Sequence, residues 1–226
     1  MENKNIIIIL VAVIVIIAIV GFIFASGMFK GENKISETTD FKTEFMEGSF
    51  VGNVTLVNDT EKFMHSYEDK KHDVTYNIST VDNSTALMEI YEVQGVSNPE
   101  ERSFNGNDWN IYFTQAVQGN GTAGKENETM DIIICQSQGE KQGYFIYMIV
   151  GPKSDINSTL NTFGESYTDY LEPLLKSVTL KESKNVPAIN EEFGLTEDEF
   201  AQQMELVHQY KAGNTSALDA QQEATA

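Results

Sequence analysis

Residues Ile6 to Ala25 read IIIILVAVIVIIAIVGFIFA, twenty apolar positions with no charge and no proline. As a helix rising 1.5 Å per residue, such a run spans about 30 Å, the thickness of a bilayer's hydrocarbon core. In lipid a single segment must satisfy its own backbone hydrogen bonds, so the abundance of Ile and Val is no obstacle to a helix. Ala25-Ser26-Gly27 has the small residues of a signal-cleavage site. The run is nevertheless longer than the roughly 7–15-residue core of a cleaved signal, and its length favours a retained anchor. Everything beyond it is polar, acidic and globular in pattern. The expected organisation is a transmembrane anchor at 1–29, a juxtamembrane stalk at 30–42 and an extracytoplasmic domain at 43–181. A linker with a capped amphipathic helix follows at 182–213, then a disordered tail at 214–226.

Orientation is not legible in the flanking charges. Lys4 is offset by Glu2 on one side, and Lys30, Lys34 and Lys42 lie on the other. The sequons decide it. Asn-x-Ser/Thr triplets begin at Asn53, Asn58, Asn77, Asn83, Asn120, Asn127, Asn157 and Asn214. Eight of the 18 Asn lie in such triplets, roughly three times what random placement of Ser and Thr gives. That excess favours an exported, glycosylated surface, with the domain outside the cytoplasm of a single-pass membrane protein. The plainer account is that Asn, Ser and Thr cluster in loops.

The net charge of −19 lies entirely beyond the anchor, because Glu2 and Lys4 cancel. So acidic a domain does not bind nucleic acid by neutralising phosphates, and anionic lipid headgroups repel it. The charge suits solubility, or a cationic partner. One cysteine, Cys135, allows no intrachain disulfide, so the core alone must hold the domain together. Cys135 ends the run Ile132-Ile133-Ile134-Cys135, which reads as a buried strand position rather than a nucleophile.

Along the domain the signals are mostly β. Strand character marks Phe50–Val57, the alternating stretch Val74–Val81, Ala86–Val93, Trp109–Val117, Met130–Cys135 and Tyr144–Val150. In Val74–Val81 the apolar face is Val74, Tyr76, Ile78 and Thr80. Glu61–Tyr67 is compatible with a short helix. Close, hairpin-linked strands favour antiparallel pairing. Leu160, Phe163, Tyr167, Tyr170, Leu171 and Leu174 then recur at helical spacing, with Ser154 or Asn157 as caps and a kink or new helix at Pro173. Val178-Thr179-Leu180 reads as a final edge strand. The expected class is α+β: a mostly antiparallel β-sheet packed by a late amphipathic helix, preceded by one N-terminal transmembrane helix.

Strands in hairpin order, the late helix and the ending Leu174-Leu175-Lys176-Ser177-Val178-Thr179-Leu180 resemble the Mog1/PsbP-like α/β sandwich domains over roughly residues 45–180. The anchor with a sequon-rich ectodomain is similar to uncharacterised single-span surface proteins of methanogenic archaea. The motifs are short apolar spacings, so no functional residue carries over. The resemblance implies a non-enzymatic binding or assembly factor.

After a linker containing Pro187, Thr196 and Glu199 form a capping box, Leu195 and Phe200 a staple, and Gly213 a C-terminal stop. Phe200, Met204, Val207 and Tyr210 make a narrow apolar stripe. It suits a partner protein or the chain's own sheet about equally. His65 and His72, near Glu61, Glu68, Asp69 and Asp73, carry metal-ligand chemistry but no recognised spacing. Asn105-Gly106-Asn107-Asp108 reads as a turn rather than a calcium loop. Trp109, Tyr112, Phe113, Tyr144 and Tyr147 would suit a sugar platform or, more commonly, a core. No catalytic residue, metal site or cofactor is assigned. The expected role is non-catalytic binding or envelope assembly, with the membrane and an envelope protein or glycan as partners. The alternative is a cell-envelope hydrolase using carboxylates in a cleft.

Overall fold

The computed structural model describes residues 38–61, 64–96, 98–118, 128–157 and 164–214. The apolar run at 6–25, Asn120, Asn127 and residues 215–226 lie outside them. Among the described residues no helix is long and apolar enough to cross a membrane.

The chain opens with β1 (Thr38–Lys42) and β2 (Met46–Val51), so the end of the expected stalk is already a paired strand. Gly52, at φ +96°, turns the chain out of β2 into β3 (Thr55–Glu61), dividing what reads as one strand over Phe50–Val57. Next come β4 (Met64–Asp69) and β5 (Val74–Val81). The short helix expected over Glu61–Tyr67 does not form. Met64 to Asp69 pair residue for residue with Ser79 to Val74, and Tyr67 is buried in the core. Strand pairing overrides the weak local helical preference there.

The strand expected over Ala86–Val93 is instead helix α1 (Ser84–Val93). Asn83 is its N-cap, the side chain accepting a hydrogen bond from the Ala86 amide at 3.1 Å. Ala86, Leu87, Ile90 and Tyr91 recur at helical spacing and are all buried. Burying Leu87, Met88 and Ile90 stabilises by about 1.5–3 kcal/mol each. Strands β6 (Glu100–Phe104), β7 (Asn107–Gln118), β8 (Glu128–Gln138) and β9 (Gly143–Val150) complete the main sheet. Asn105 and Gly106 both have positive φ, +49° and +79°, the geometry of a tight hairpin turn between β6 and β7.

The seven-stranded sheet has the order β3-β4-β5-β9-β8-β7-β6, every neighbour antiparallel. The α+β class with a mostly antiparallel sheet is therefore the architecture found. Its outer strands are guarded in different ways. β6 exposes Glu100, Glu101 and Arg102, and β3 breaks register with β4 on both sides of Asn58.

On one face of this sheet lie β1, β2 and β10 (Thr179–Leu180), a small three-stranded sheet, together with a π-helical segment, Ser166–Leu171, that runs into α2 (Glu172–Ser177). Pro173 sits in the first turn of α2 and has no N–H to give to an earlier carbonyl. The widened turn just before it, with the Glu172 amide bonded to the Tyr167 carbonyl, accommodates its ring. Leu160 and Phe163 of the expected helix lie outside the described residues, and Glu165 holds the N-cap position of the part that is described. The other face carries α1, then α3 (Ile189–Glu192) and α4 (Glu197–Lys211) outside it. The capping box of α4 forms as the sequence predicts, with Gly213 following at φ +85°.

Because both faces are covered, β5 and β9 are buried along their whole length. Val74, Tyr76 and Ile78 join the core beneath the small sheet. The opposite row, Thr75, Asn77 and Ser79, is buried as well.

Candidate functional site

Several titratable groups meet at the corner where the β4–β5 hairpin joins the loop leaving β9. Asp69 ends β4 and its Oδ1 accepts hydrogen bonds from the amides of Lys71 (3.1 Å) and His72 (3.3 Å), shaping the turn. Asp73 closes the turn at φ +51°. Its carbonyl accepts from the Gly151 amide at 2.8 Å and its Oδ2 from the Lys153 amide at 2.9 Å. A side chain at Gly151 would start 2.5 Å from Asp73 Cγ, so the approach requires glycine. Ser154 Oγ donates to the His72 carbonyl at 2.5 Å, and His72 Nδ1 lies 2.6 Å from Asp155 Oδ1.

The electrostatics follow from burial. Asp69 is 3 % exposed, and its carboxyl is pushed above the usual carboxylate range by desolvation, partly offset by His72. Burial also raises Tyr170 to about 12 and Tyr76 further still, with Asp69 contributing to both. Asp155 is held low, chiefly by its hydrogen bond to His72. The His72 ring meets the Tyr170 ring edge-on at 5.8 Å. Chemically this is a knot of bonds fastening a hairpin to a distant loop. Its imidazole is paired with the Asp155 carboxylate, while Ser154, Asp69 and Asp73 bond to backbone groups.

Of the residues singled out by sequence, Asp69, His72 and Asp73 meet at this corner, whereas His65, Cys135 and the aromatic residues do not. His65 lies in β4 with its ring 5.7 Å from Phe45, away from His72. Among the described residues no three His, Cys, Asp or Glu side chains come together to hold a metal ion. Cys135 is fully buried and its thiol is pushed up by desolvation. The aromatic platform dissolves into the interior. Trp109, Tyr112, Tyr144 and Tyr147 are all buried, because alternate residues of β7 and β9 face covered sides of the sheet.

The stripe on α4 is also corrected as a free partner-binding face. Phe200, Met204 and Val207 pack with Leu195 against the core around α1, and the Phe193 and Phe200 rings stack at 5.9 Å. Charge fixes the seat. Glu89 on α1 accepts from His208 Nε2 and Lys211 Nζ, each at 3.1 Å, and Glu92 lies 2.9 Å from Lys211 Nζ. Only Tyr210 of the stripe stays outside, 40 % exposed.

The sequons divide sharply. Asn53, Asn83, Asn157 and Asn214 are exposed. Asn58 belongs to β3. Asn77 is 0 % exposed at the centre of β5, facing Ser66 and Tyr147 across its two ladders. Sequence reasoning missed the His72–Asp155 pair, whose partners are 83 residues apart.

No family model and no curated protein matches the chain. Among solved structures, a protein from Bacteroides thetaiotaomicron VPI-5482 is similar at 8 % identity and a TM-score of 0.42, over 65 % of this chain and 49 % of that one. The chain thus spans about half the length of that structure, and a likeness this distant carries no argument about activity.

Proposed function

We propose that this protein is a membrane-tethered extracytoplasmic domain with a non-catalytic role in binding or envelope assembly. The observation that carries this reading is the uninterrupted apolar run at Ile6–Ala25, separated by only residues 26–37 from the first strand at Thr38. A folded, strongly acidic domain so close to a membrane span stands off anionic lipid and presents its surface to other components. The non-catalytic part is supported by where the reactive groups lie. Cys135 is sealed in the core, and the hydrogen bonds of Ser154 and of the His72–Asp155 pair stay inside the fold. The kinship with Mog1/PsbP-like domains, and with single-span archaeal surface proteins, belongs to the same proposal.

The test is to shave intact cells with protease and then to extract their membranes with alkaline carbonate. Release of domain peptides from intact cells, with the Ile6–Ala25 segment kept in the carbonate pellet, supports the reading. Full protection of the domain in intact cells, or complete extraction into carbonate, would overturn it.

A further inference from the structure

We propose that the fold selects among the sequons: N-glycans are carried at Asn53 and Asn83, and Asn77 carries none. The inference rests on the extracytoplasmic reading, because sugar transfer to asparagine takes place on exported chains. In the reaction the Nδ2 of asparagine attacks the anomeric carbon of a lipid-linked pyrophosphoryl oligosaccharide. A C–N bond forms, the C–O bond to the pyrophosphate breaks, the lipid pyrophosphate leaves, and Nδ2 gives up one proton. The acceptor amide must therefore be reachable, and the product must have room for a hydrated sugar.

The two requirements separate the sites cleanly. Asn77 and Ser79, the first and third residues of one triplet, are 0 % and 1 % exposed on a strand paired on both sides. A sugar on Asn77 would have to sit between β5 and the layer that covers it. A chain glycosylated there before folding could not close that layer. Asn53 lies in the short link between β2 and β3, a link held by the Thr39 hydroxyl, which donates to the Gly52 carbonyl at 2.7 Å and accepts from the Val54 amide at 3.1 Å. Asn83 caps α1 through Oδ1, which leaves Nδ2 as the attachment point. A glycan and the cap are compatible, since the acceptor oxygen survives the linkage.

Strand register also gives the glycans a place. Thr38 pairs with Val51, Thr55 with Glu68, and Val74 with both Asp69 and Val150. The entry of the chain at Thr38, Asn53 and the loop bearing Asn157 therefore share one end of the domain. α1 starts at the opposite end, beyond Val81, and runs back. The glycan at Asn53 would thus sit at the end where the described chain enters at Thr38, with the one at Asn83 on the far end.

The experiment uses the full chain isolated from the membranes of its own cells, digested and read by mass spectrometry at the three triplets, with intact mass recorded for variants. The expected result is sugar on the Asn53 and Asn83 peptides and an unmodified Asn77 peptide. Ser79→Ala, which removes the Asn77 triplet but no hydrogen bond of the fold, should leave the glycan mass unchanged. Thr55→Ala should remove one glycan. Sugar on Asn77, or a lighter glycan complement in Ser79→Ala, overturns the inference while leaving export intact. Bare sequons on a domain that protease releases from intact cells also overturn it alone. Bare sequons on a fully protected domain overturn export, and this inference with it.

Discussion

Phe50 is the joint between the two sheets, and Phe50→Ala tests how they are held together. The ring is 0 % exposed on β2 of the small sheet. Its centroid lies 4.7 Å from Phe41, 4.8 Å from Tyr76 and 5.0 Å from Tyr67, the last two on β5 and β4 of the large sheet. Truncating a buried Phe costs about 3–5 kcal/mol through lost transfer energy and the cavity left behind. The three ring contacts, each worth about 0.5–1.5 kcal/mol beyond area, place this site in the upper half of that range. A loss of about 4 kcal/mol is roughly a thousandfold in the folding equilibrium, a large share of the ~5–15 kcal/mol that holds a domain together. With a urea dependence of about 2 kcal/mol per molar, the unfolding midpoint should fall by about 2 M. Trp109, the only tryptophan and 1 % exposed, reports the transition by fluorescence. Phe50→Leu keeps most of the volume and should lose only about 1–1.5 kcal/mol. A midpoint drop below about 0.5 M for Phe50→Ala, or equal losses for the two variants, would refute the claim that this ring locks the sheets.

Asp69→Asn should be at least as stable as the parent at pH 7. The folded state holds the Asp69 proton more tightly than the unfolded chain, so its contribution is fully present below about 3.8 and lost as pH rises through the raised folded value. The gap between the two proteins should therefore close as pH falls toward 4 in urea titrations. A gap that widens on acidification would contradict the burial argument. Gly143→Ala should destabilise by about 1–3 kcal/mol, because the new methyl would start 2.1 Å from Ser84 Cβ and 3.3 Å from Ser84 Cα, and a neutral thermal shift would disprove that close approach. Glu89→Lys should release α4, since it sets two lysines together where His208 and Lys211 now share one carboxylate. Limited proteolysis between residues 188 and 211 should then speed up severalfold while Trp109 stays buried, and unchanged cleavage would show that the apolar stripe alone holds the helix. Cys135 should resist aqueous thiol reagents in the native protein and react fully in denaturant, and rapid native labelling would contradict its burial.

Features that depend on nearest neighbours were legible in the chain. The capping box at Thr196 and Glu199 formed as read, because each group finds its partner three residues away. The apolar run before Cys135 became a central strand, and Val178-Thr179-Leu180 supplied the short edge strand β10, for similarly local reasons. Ala86–Val93 was misread because Ala, Leu, Met and Ile serve helix and strand alike over a short window. The cap at Asn83 was the signal that could have decided it. The candidate sites fared worse, since a stripe such as Phe200-Met204-Val207 declares that it must be covered and says nothing of what covers it.

The sequence by itself determined the apolar segment, the antiparallel α+β class and the start of α4, all matters of local hydrogen bonding and hydrophobic period. Tertiary structure alone decided that Asn77 is sealed, that His72 meets Asp155, and that α4 rests on Glu89 and Glu92 of α1. The last two outcomes join groups far apart in the chain, 83 residues between His72 and Asp155 and 119 between Glu89 and His208. Burial and charge pairing act through space, so a one-dimensional pattern records the need for a partner but not its identity.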